Sequence, residues 1–228
     1  MKATLVYNPR AGRSLGSGGL GPAIEFLRRE GWELSIQPSS GPGDATQIAR
    51  AASAANDEVL LVAGGDGTLN EAVQGVAGSE TALGYLPYGT MNVWARELHI
   101  PLNMSHAARA IARGHIERVD LGIANDRYFL LMAGIGFDSE LIRRAKSLER
   151  HKPRFGILPY VLAGLATVPL YRGIDVELRY DGLIRRVEAL MVVIGNTRLY
   201  GGYWRLTPNA VANDGLLDLC IIKGRGSL

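Results

Sequence analysis

The sequence predicts an α/β fold in two parts: a parallel sheet covered by helices on both faces, then a mostly antiparallel second domain. Two observations carry this. The first half alternates short aliphatic or β-branched runs with stretches of helical spacing, the pattern of β-α-β units. After Arg113-Gly114 the chain reads mainly as strands, and Asp181-Gly182 between two of them is a two-residue hairpin signal. The border is expected near residues 114–119, giving domains of 1–116 and 117–228.

The first strand is Ala3 to Tyr7, because MKATLVYNPRAG has too few apolar residues for the h-region of a signal peptide. A helical pattern over Leu20 to Glu30 leads to a strand at Glu33 to Gln37, and a second over Asp44 to Ala55 leads to Glu58 to Ala63. The apolar run VLLVA then enters a glycine loop followed by a helix over Leu69 to Ala77, and Ala82 to Leu86 makes a fourth strand. In the second part, strands are expected at Glu117 to Leu121, Tyr128 to Met132, Ile174 to Tyr180, Leu183 to Ile194 and Leu217 to Ile222. Helices are expected around Ser139 to Glu149 and Ile157 to Val168.

Composition narrows the function classes. With 228 residues, 47% hydrophobic and 21% charged, the chain is an ordinary globular protein that needs no staples. Cys220 is the single cysteine, so no internal disulfide exists and a reducing, cytoplasmic location is the default expectation. A net charge of +3 does not indicate a nucleic-acid binder. The segment Arg143 to Arg154 nevertheless holds six Lys and Arg against one Glu, which suits either an anionic membrane surface or a solvated helix face. Phe155 to Tyr171 is uncharged and mostly apolar, but it contains two prolines and is shorter than the ~20 residues of a spanning helix. It reads as a buried helix. Together with Phe129 to Phe137 it could line an apolar channel or belong to ordinary core.

Gly64-Gly65-Asp66-Gly67-Thr68-Leu69-Asn70-Glu71 is the central chemical signal. Glycines at three of its first four positions let the backbone turn sharply and bring N–H groups to phosphate oxygens, and a helix from Thr68 adds the positive end of its dipole. The run fits neither the P-loop nor the dinucleotide fingerprint. An ordinary strand-to-helix turn capped by Asp66 is the alternative.

The same run resembles the nucleotide-binding signature of the diacylglycerol kinase catalytic domain family, which includes bacterial diacylglycerol kinases and the sphingosine and ceramide kinases. Three further matches stand in order. Tyr7-Asn8-Pro9 with Gly12 resembles the family's opening strand and turn. Leu86-Pro87-Tyr88-Gly89-Thr90-Met91-Asn92-Val93-Trp94-Ala95-Arg96 resembles its P-x-G-T-x-N-x-x-A-R loop. Gly195-Asn196 through Tyr200-Gly201-Gly202, then Pro208-Asn209-Ala210 and Asp214-Gly215-Leu216-Leu217-Asp218, resembles its P-x-A-x-x-x-D-G-x-L-D run. NAD kinases share the GGDGT loop but are similar in the first domain alone.

The resemblance implies a Rossmann-like nucleotide domain, a β-sandwich-like lipid domain, and transfer of the γ-phosphate of ATP to the hydroxyl of diacylglycerol or a similar lipid alcohol. It places ATP on Asn8, Ser39, Gly64, Gly65, Asp66, Gly67, Thr68, Leu69, Asn70, Gly89 and Thr90. Ser39 stands where relatives carry Thr, and Gly41-Pro42-Gly43-Asp44 would close the turn presenting it or simply start a helix. Glu71 and Asn92 are candidates for Mg²⁺ or for polar support of the phosphates, with a solvated helix face as the alternative. A structural Mg²⁺ is expected on Asp214 with the carbonyls of Val211 and Leu216; a turn at Asn213-Asp214-Gly215 without an ion is the other reading.

One part of the pattern is absent. Relatives carry the catalytic Asp in an Asp-Gly-Glu triplet well beyond the DGLLD run, and no such triplet exists here, so a truncated chain with low turnover is expected. The implied partners are a lipid substrate and a peripheral anionic membrane surface, without nucleic acid; a homodimer is compatible with the sequence and not encoded by it. Two other functions remain open: a non-catalytic nucleotide or lipid sensor on the same fold, and an NAD kinase-like enzyme.

Overall fold

A computed structural model describes residues 1–9, 19–137, 139–140, 143 and 171–224. Several expectations lie outside these residues: the role of Gly12, the helix at 157–168, nearly all of that at 139–149, the basic segment beyond Arg143 and the apolar stretch up to residue 170. The chain divides into two compact units, residues 1–131 with 196–216, and residues 132–195 with 217–228.

The first unit is built on β1 (Lys2–Tyr7), α1 (Leu20–Arg29), β2 (Glu33–Pro38), α2 (Asp44–Ala54), β3 (Val59–Gly64), α3 (Asp66–Val76) and β4 (Ala82–Pro87). Its four strands are parallel in the order β2-β1-β3-β4. Every residue of β3 is buried, as expected of a central strand covered on both faces. Successive side chains point to opposite sides, so Leu60 and Val62 join the core beneath α2 and α3, while Leu61 and Ala63 join Ala23 and Leu27 of α1 together with Met104 and Ala107. α2 and α3 pack so closely that a Cβ on Gly75 would lie 2.5 Å from Ala49 Cβ and 2.7 Å from the Thr46 carbonyl oxygen. That approach requires glycine.

After β4 come α4 (Val93–Glu97) and α5 (Met104–Ala112), neither anticipated, the second capped by Asn103, whose side chain accepts from the His106 N–H. Residues 117–131 and 196–216, expected in the second domain, group with this unit, because α3 and α4 hold them by side-chain bonds. Gln74 mimics a strand partner, donating to the Tyr128 carbonyl at 2.8 Å and accepting from the Tyr128 N–H at 3.0 Å. Glu97 is buried against Arg198 and also accepts from the Leu199 N–H.

The expected strand at 117–121 does not form. Its backbone is satisfied otherwise, the Asp120 N–H donating to the Ala212 carbonyl and the Asp120 carbonyl accepting from the Asn196 amide. The expected strand at 128–132 is split into β6 (Arg127–Phe129), paired with β5 (Gly122–Ala124), and β7 (Met132–Gly136). It breaks at Leu130 and Leu131, whose backbone groups bond to Asn70 and Asn196.

The second unit is an antiparallel sheet. β8 (Ile174–Tyr180) and β9 (Leu183–Gly195) form the predicted hairpin, and β9 continues between β7 and β12 (Asp218–Lys223). Asp181 and Gly182 both have positive φ, 47° and 75°, which the two-residue turn demands and this residue pair tolerates. The remaining hairpin, β10 (Leu199–Tyr200) with β11 (Trp204–Arg205), belongs to the first unit.

Candidate functional site

All four parallel strands end at one edge, and the candidate phosphate-binding residues lie along it. Tyr7 is in register with Pro38 and Ala63, and Gly64 with Pro87. The pairing continues one residue past the strands: the Asn8 N–H donates to Ala63, Ser39 to Tyr7, and Tyr88 to Gly64. Asn8, Ser39, Gly64 to Thr68, and Gly89 to Asn92 therefore emerge side by side at the carboxyl edge, where ligands of parallel α/β sheets bind.

The glycine loop is shorter than the sequence suggests. α3 begins at Asp66 rather than Thr68, so Gly67 and Thr68 lie in its first turn and Gly65 is the N-cap. Among the described residues, no side chain caps this end. The Leu69 N–H reaches back to the Gly65 carbonyl, whereas helix geometry leaves the N–H groups of Asp66, Gly67 and Thr68 without an intrahelical acceptor. Three first-turn donors and the positive end of the helix dipole thus face the edge. Gly64 gives Thr68 its place, since a Cβ there would lie 2.6 Å from Thr68 Cβ, and the Asn8 amide reaches Thr68 Oγ1 at 3.4 Å.

The loop after β4 is pressed against this one. A Cβ on Gly89 would come within 2.4 Å of Gly65 Cα and 2.8 Å of Asn92 Oδ1, so two backbones meet where only glycine fits. Asn92 closes the second loop upon itself. It adopts the left-handed conformation (φ 47°), accepts from the Gly89 N–H at 2.9 Å and donates to the Gly89 carbonyl at 2.9 Å. The buried Tyr85 hydroxyl lies 3.1 Å from the Gly64 carbonyl and 3.0 Å from Asn92 Oδ1, sharing its one proton between the two loops. Burial above all, and then the charge of Asp66, drive the Tyr85 pKa far above the ordinary phenol value, so this donor stays protonated. Asp66 is a first-turn residue and not the cap; its Oδ1 accepts from the Trp94 N–H at 3.1 Å and ties α3 to α4.

The other expected nucleotide residues divide into three groups. Ser39 is half-buried and Thr90 exposed, both at the edge and open to a ligand. Asn70 and Glu71 already have structural work: Asn70 Oδ1 accepts from the Leu130 N–H, and Glu71 Oε2 accepts from the Gly43 N–H at 2.9 Å. Asp44 completes that turn by accepting from Ser40 and Gly41. Leu69 has a core side chain, and its N–H bonds to the Gly65 carbonyl inside the helix. Asn92, expected near Mg²⁺ or phosphate, is committed to its own loop.

The proposed metal residues sit in an exposed turn of the first unit. Asp214 Oδ1 accepts from the Leu216 N–H at 3.0 Å, and Asp120 Oδ2 accepts from the Gly215 N–H at 2.7 Å. Each carboxylate keeps its other oxygen outside these bonds, and the Val211 and Leu216 carbonyls lie in the same turn, an all-oxygen donor set that suits a hard cation. Among the described residues no three His, Cys, Asp or Glu side chains cluster as a metal site, so any ion here relies on backbone oxygens and water. Asp120 escaped sequence reasoning because it sits in the stretch Glu117 to Leu121, which reads as a strand. Among the described residues, no helix is long and apolar enough to cross a membrane.

Comparison with known proteins agrees with this architecture. Residues 2–124 match the diacylglycerol kinase catalytic domain, and residues 132–227 match the YegS C-terminal NAD kinase beta sandwich-like domain. The chain is 36% identical over 224 residues to the diacylglycerol kinase of Staphylococcus aureus (strain JH9), covering 97% of this chain and 70% of that protein. The enzyme of strain Newman gives the same figures. A crystal structure of a diacylglycerol kinase from Bacillus anthracis str. Sterne superposes with a TM-score of 0.77 at 29% identity, over 97% of this chain and 73% of that one. Another from the same organism reaches 0.78 at 29% identity, over 98% and 75%. With its parallel α/β first domain, its antiparallel sandwich-like second domain and two ordered matches that span nearly its whole length, this chain belongs to the diacylglycerol kinase catalytic domain family of kinases.

Proposed function

We propose that the protein transfers the γ-phosphoryl group of ATP to the hydroxyl of diacylglycerol or a closely similar lipid alcohol. The observation that carries this reading is the uncapped first turn of α3, held beside the loop at Gly89 by a glycine-to-glycine approach. In the transfer the acceptor oxygen forms the new bond to phosphorus, the bond from phosphorus to the β–γ bridging oxygen breaks, ADP leaves, and the hydroxyl proton passes to a carboxylate. None of the described carboxylates is assigned as that base. The residues at the edge bind and orient the donor: the Asp66, Gly67 and Thr68 amides take phosphate oxygens, and Asn8, Ser39 and Thr90 supply side-chain hydrogen bonds. Leu69 and Asn92 act behind them as core and loop brace.

Mg²⁺ would be held by Asp214 and Asp120 with the Val211 and Leu216 carbonyls, where its charge would cross-link the 211–216 turn to residue 120. The relatives named diacylglycerol kinase support a lipid acceptor, and a cytoplasmic protein working peripherally at a membrane follows from a soluble donor and an insoluble acceptor. Calorimetric titration with ATP, and labelled-phosphate transfer from ATP to dispersed diacylglycerol, long-chain bases or NAD, test the reading. Saturable ATP binding is expected, with phosphatidate as the product of slow turnover. Label in NAD alone would move the protein to the dinucleotide kinases, and no ATP binding would refute the proposal.

A further inference from the structure

We infer that the tip of the β10–β11 hairpin, Tyr203 and Trp204 with Arg205, is a membrane-contact element that seats in the headgroup layer of an anionic bilayer. Tyr203 and Trp204 are adjacent large aromatic side chains, 62% and 61% exposed. Nothing about them suggests a loosely held loop. The inner side of the hairpin is anchored by the buried Glu97, which accepts from Arg198 and from the Leu199 N–H. The turn passes through Gly201 and Gly202, with φ of 58° and 81°, and a Cβ on Gly202 would lie 3.3 Å from Arg96 Cδ. The Arg96 guanidinium stacks over the Tyr203 ring at 5.3 Å and donates from Nε to the Met91 carbonyl, so the tip stands on the loop that forms the nucleotide edge.

Chemistry favours a lipid surface as occupant. Tyr and Trp carry an apolar body and a polar handle, the combination enriched where membranes meet water. Charge agrees: Arg205 is exposed beside Trp204, and no Asp or Glu stands between Asn196 and Asn213 to oppose it, the other cation there, Arg198, being paired with Glu97. The inference deepens the proposed function, since an enzyme acting on a bilayer lipid must hold its donor edge near that bilayer.

Trp204 also supplies the assay, because Trp32 and Trp94 are only 6% and 5% exposed. Titrating the protein with vesicles of phosphatidylcholine containing phosphatidylglycerol should shift its emission to the blue, and brominated acyl chains should quench it. Trp204→Phe should abolish both signals while retaining most vesicle sedimentation. The Tyr203→Ala/Trp204→Ala double variant should sediment about tenfold more weakly, and Arg205→Ala about fivefold, the latter in low salt. Circular dichroism and ATP calorimetry on the same variants check that the fold and the nucleotide edge are intact, and they keep failure of this inference distinct from failure of the kinase reading. The inference is overturned if no vesicle binds, if emission stays unchanged while the protein sediments with vesicles, or if the double variant sediments like the parent. A blue shift that grows with protein concentration without vesicles would assign the tip to contact between copies instead, and would equally overturn it.

Discussion

Replacing Gly67 by Ala should make the protein more stable and a poorer binder of ATP, and the opposition of these signs is what makes the change informative. Gly67 lies in the first turn of α3 at a helical position, is exposed, and would bring its Cβ to nothing within 4 Å. The free protein therefore has no steric use for glycine here. Alanine lowers the conformational entropy of the unfolded chain and favours the helix, a gain of about 0.5–1 kcal/mol. For a chain of this length that raises the melting temperature by about 1–4 °C. If a phosphate sits on the adjacent amides, however, the new methyl occupies its approach. Losing one hydrogen bond to a charged group costs about 1.5–3 kcal/mol, or roughly 10- to 150-fold in affinity. Thermal unfolding followed by circular dichroism, paired with ATP calorimetry, reads both numbers. A variant that melts higher and binds ATP within twofold of the parent would refute the claim that glycine is there for the ligand.

Gly89→Ala should behave differently, since its Cβ meets the Gly65 backbone: a loss of about 1–3 kcal/mol in denaturant unfolding together with weaker ATP binding, whereas unchanged unfolding would show that the two loops are not pressed together. Tyr85→Phe removes the donor between the Gly64 carbonyl and Asn92, costing about 1–2 kcal/mol of unfolding free energy at neutral pH. Because the folded state raises the Tyr85 pKa, its contribution is complete below the unfolded phenol value of about 10 and lost as pH rises beyond it, so the variant should also lose part of the alkaline fall in stability. Burial alone would raise the Asp57 pKa, but hydrogen bonds from Lys2 and Thr4 and the Lys2 charge outweigh it and hold the value below the usual one. Its stabilisation is complete above about pH 4 and is lost as pH falls through the lowered folded-state value; Asp57→Asn should flatten that acid limb in a urea-unfolding series.

The regular elements of the sheet were legible because each carries its own signal. VLLVA is apolar at every position and becomes the all-buried β3; Asp181-Gly182 becomes the hairpin turn with both residues at positive φ. What escaped prediction was settled by long-range bonds. Residues 117–121 look like a strand, yet the Asp120 backbone bonds to the Ala212 carbonyl and to the Asn196 side chain, the latter 76 residues away in sequence. Gln74 offers nothing in its local pattern to suggest that it substitutes for a strand opposite Tyr128. At the site, motif resemblance gathered the right loops onto one edge but did not sort ligand-facing residues from braces. Leu69 and Asn92 belong to the motif because the core and the Gly89 loop need them. The left-handed φ of Asn92, which sequence spacing does not reveal, is the reason an asparagine stands there.

If the main-chain N–H groups of Asp66, Gly67 and Thr68 hold the phosphates of ATP, their resonances must respond to the nucleotide. Amide chemical shifts of ¹⁵N-labelled protein, followed through a titration with a non-hydrolysable ATP analogue, test it most directly. These three resonances should move farthest and saturate together, with Asn8, Ser39 and Thr90 following. Saturable binding that leaves all three in place, or the absence of any saturable change, would contradict it.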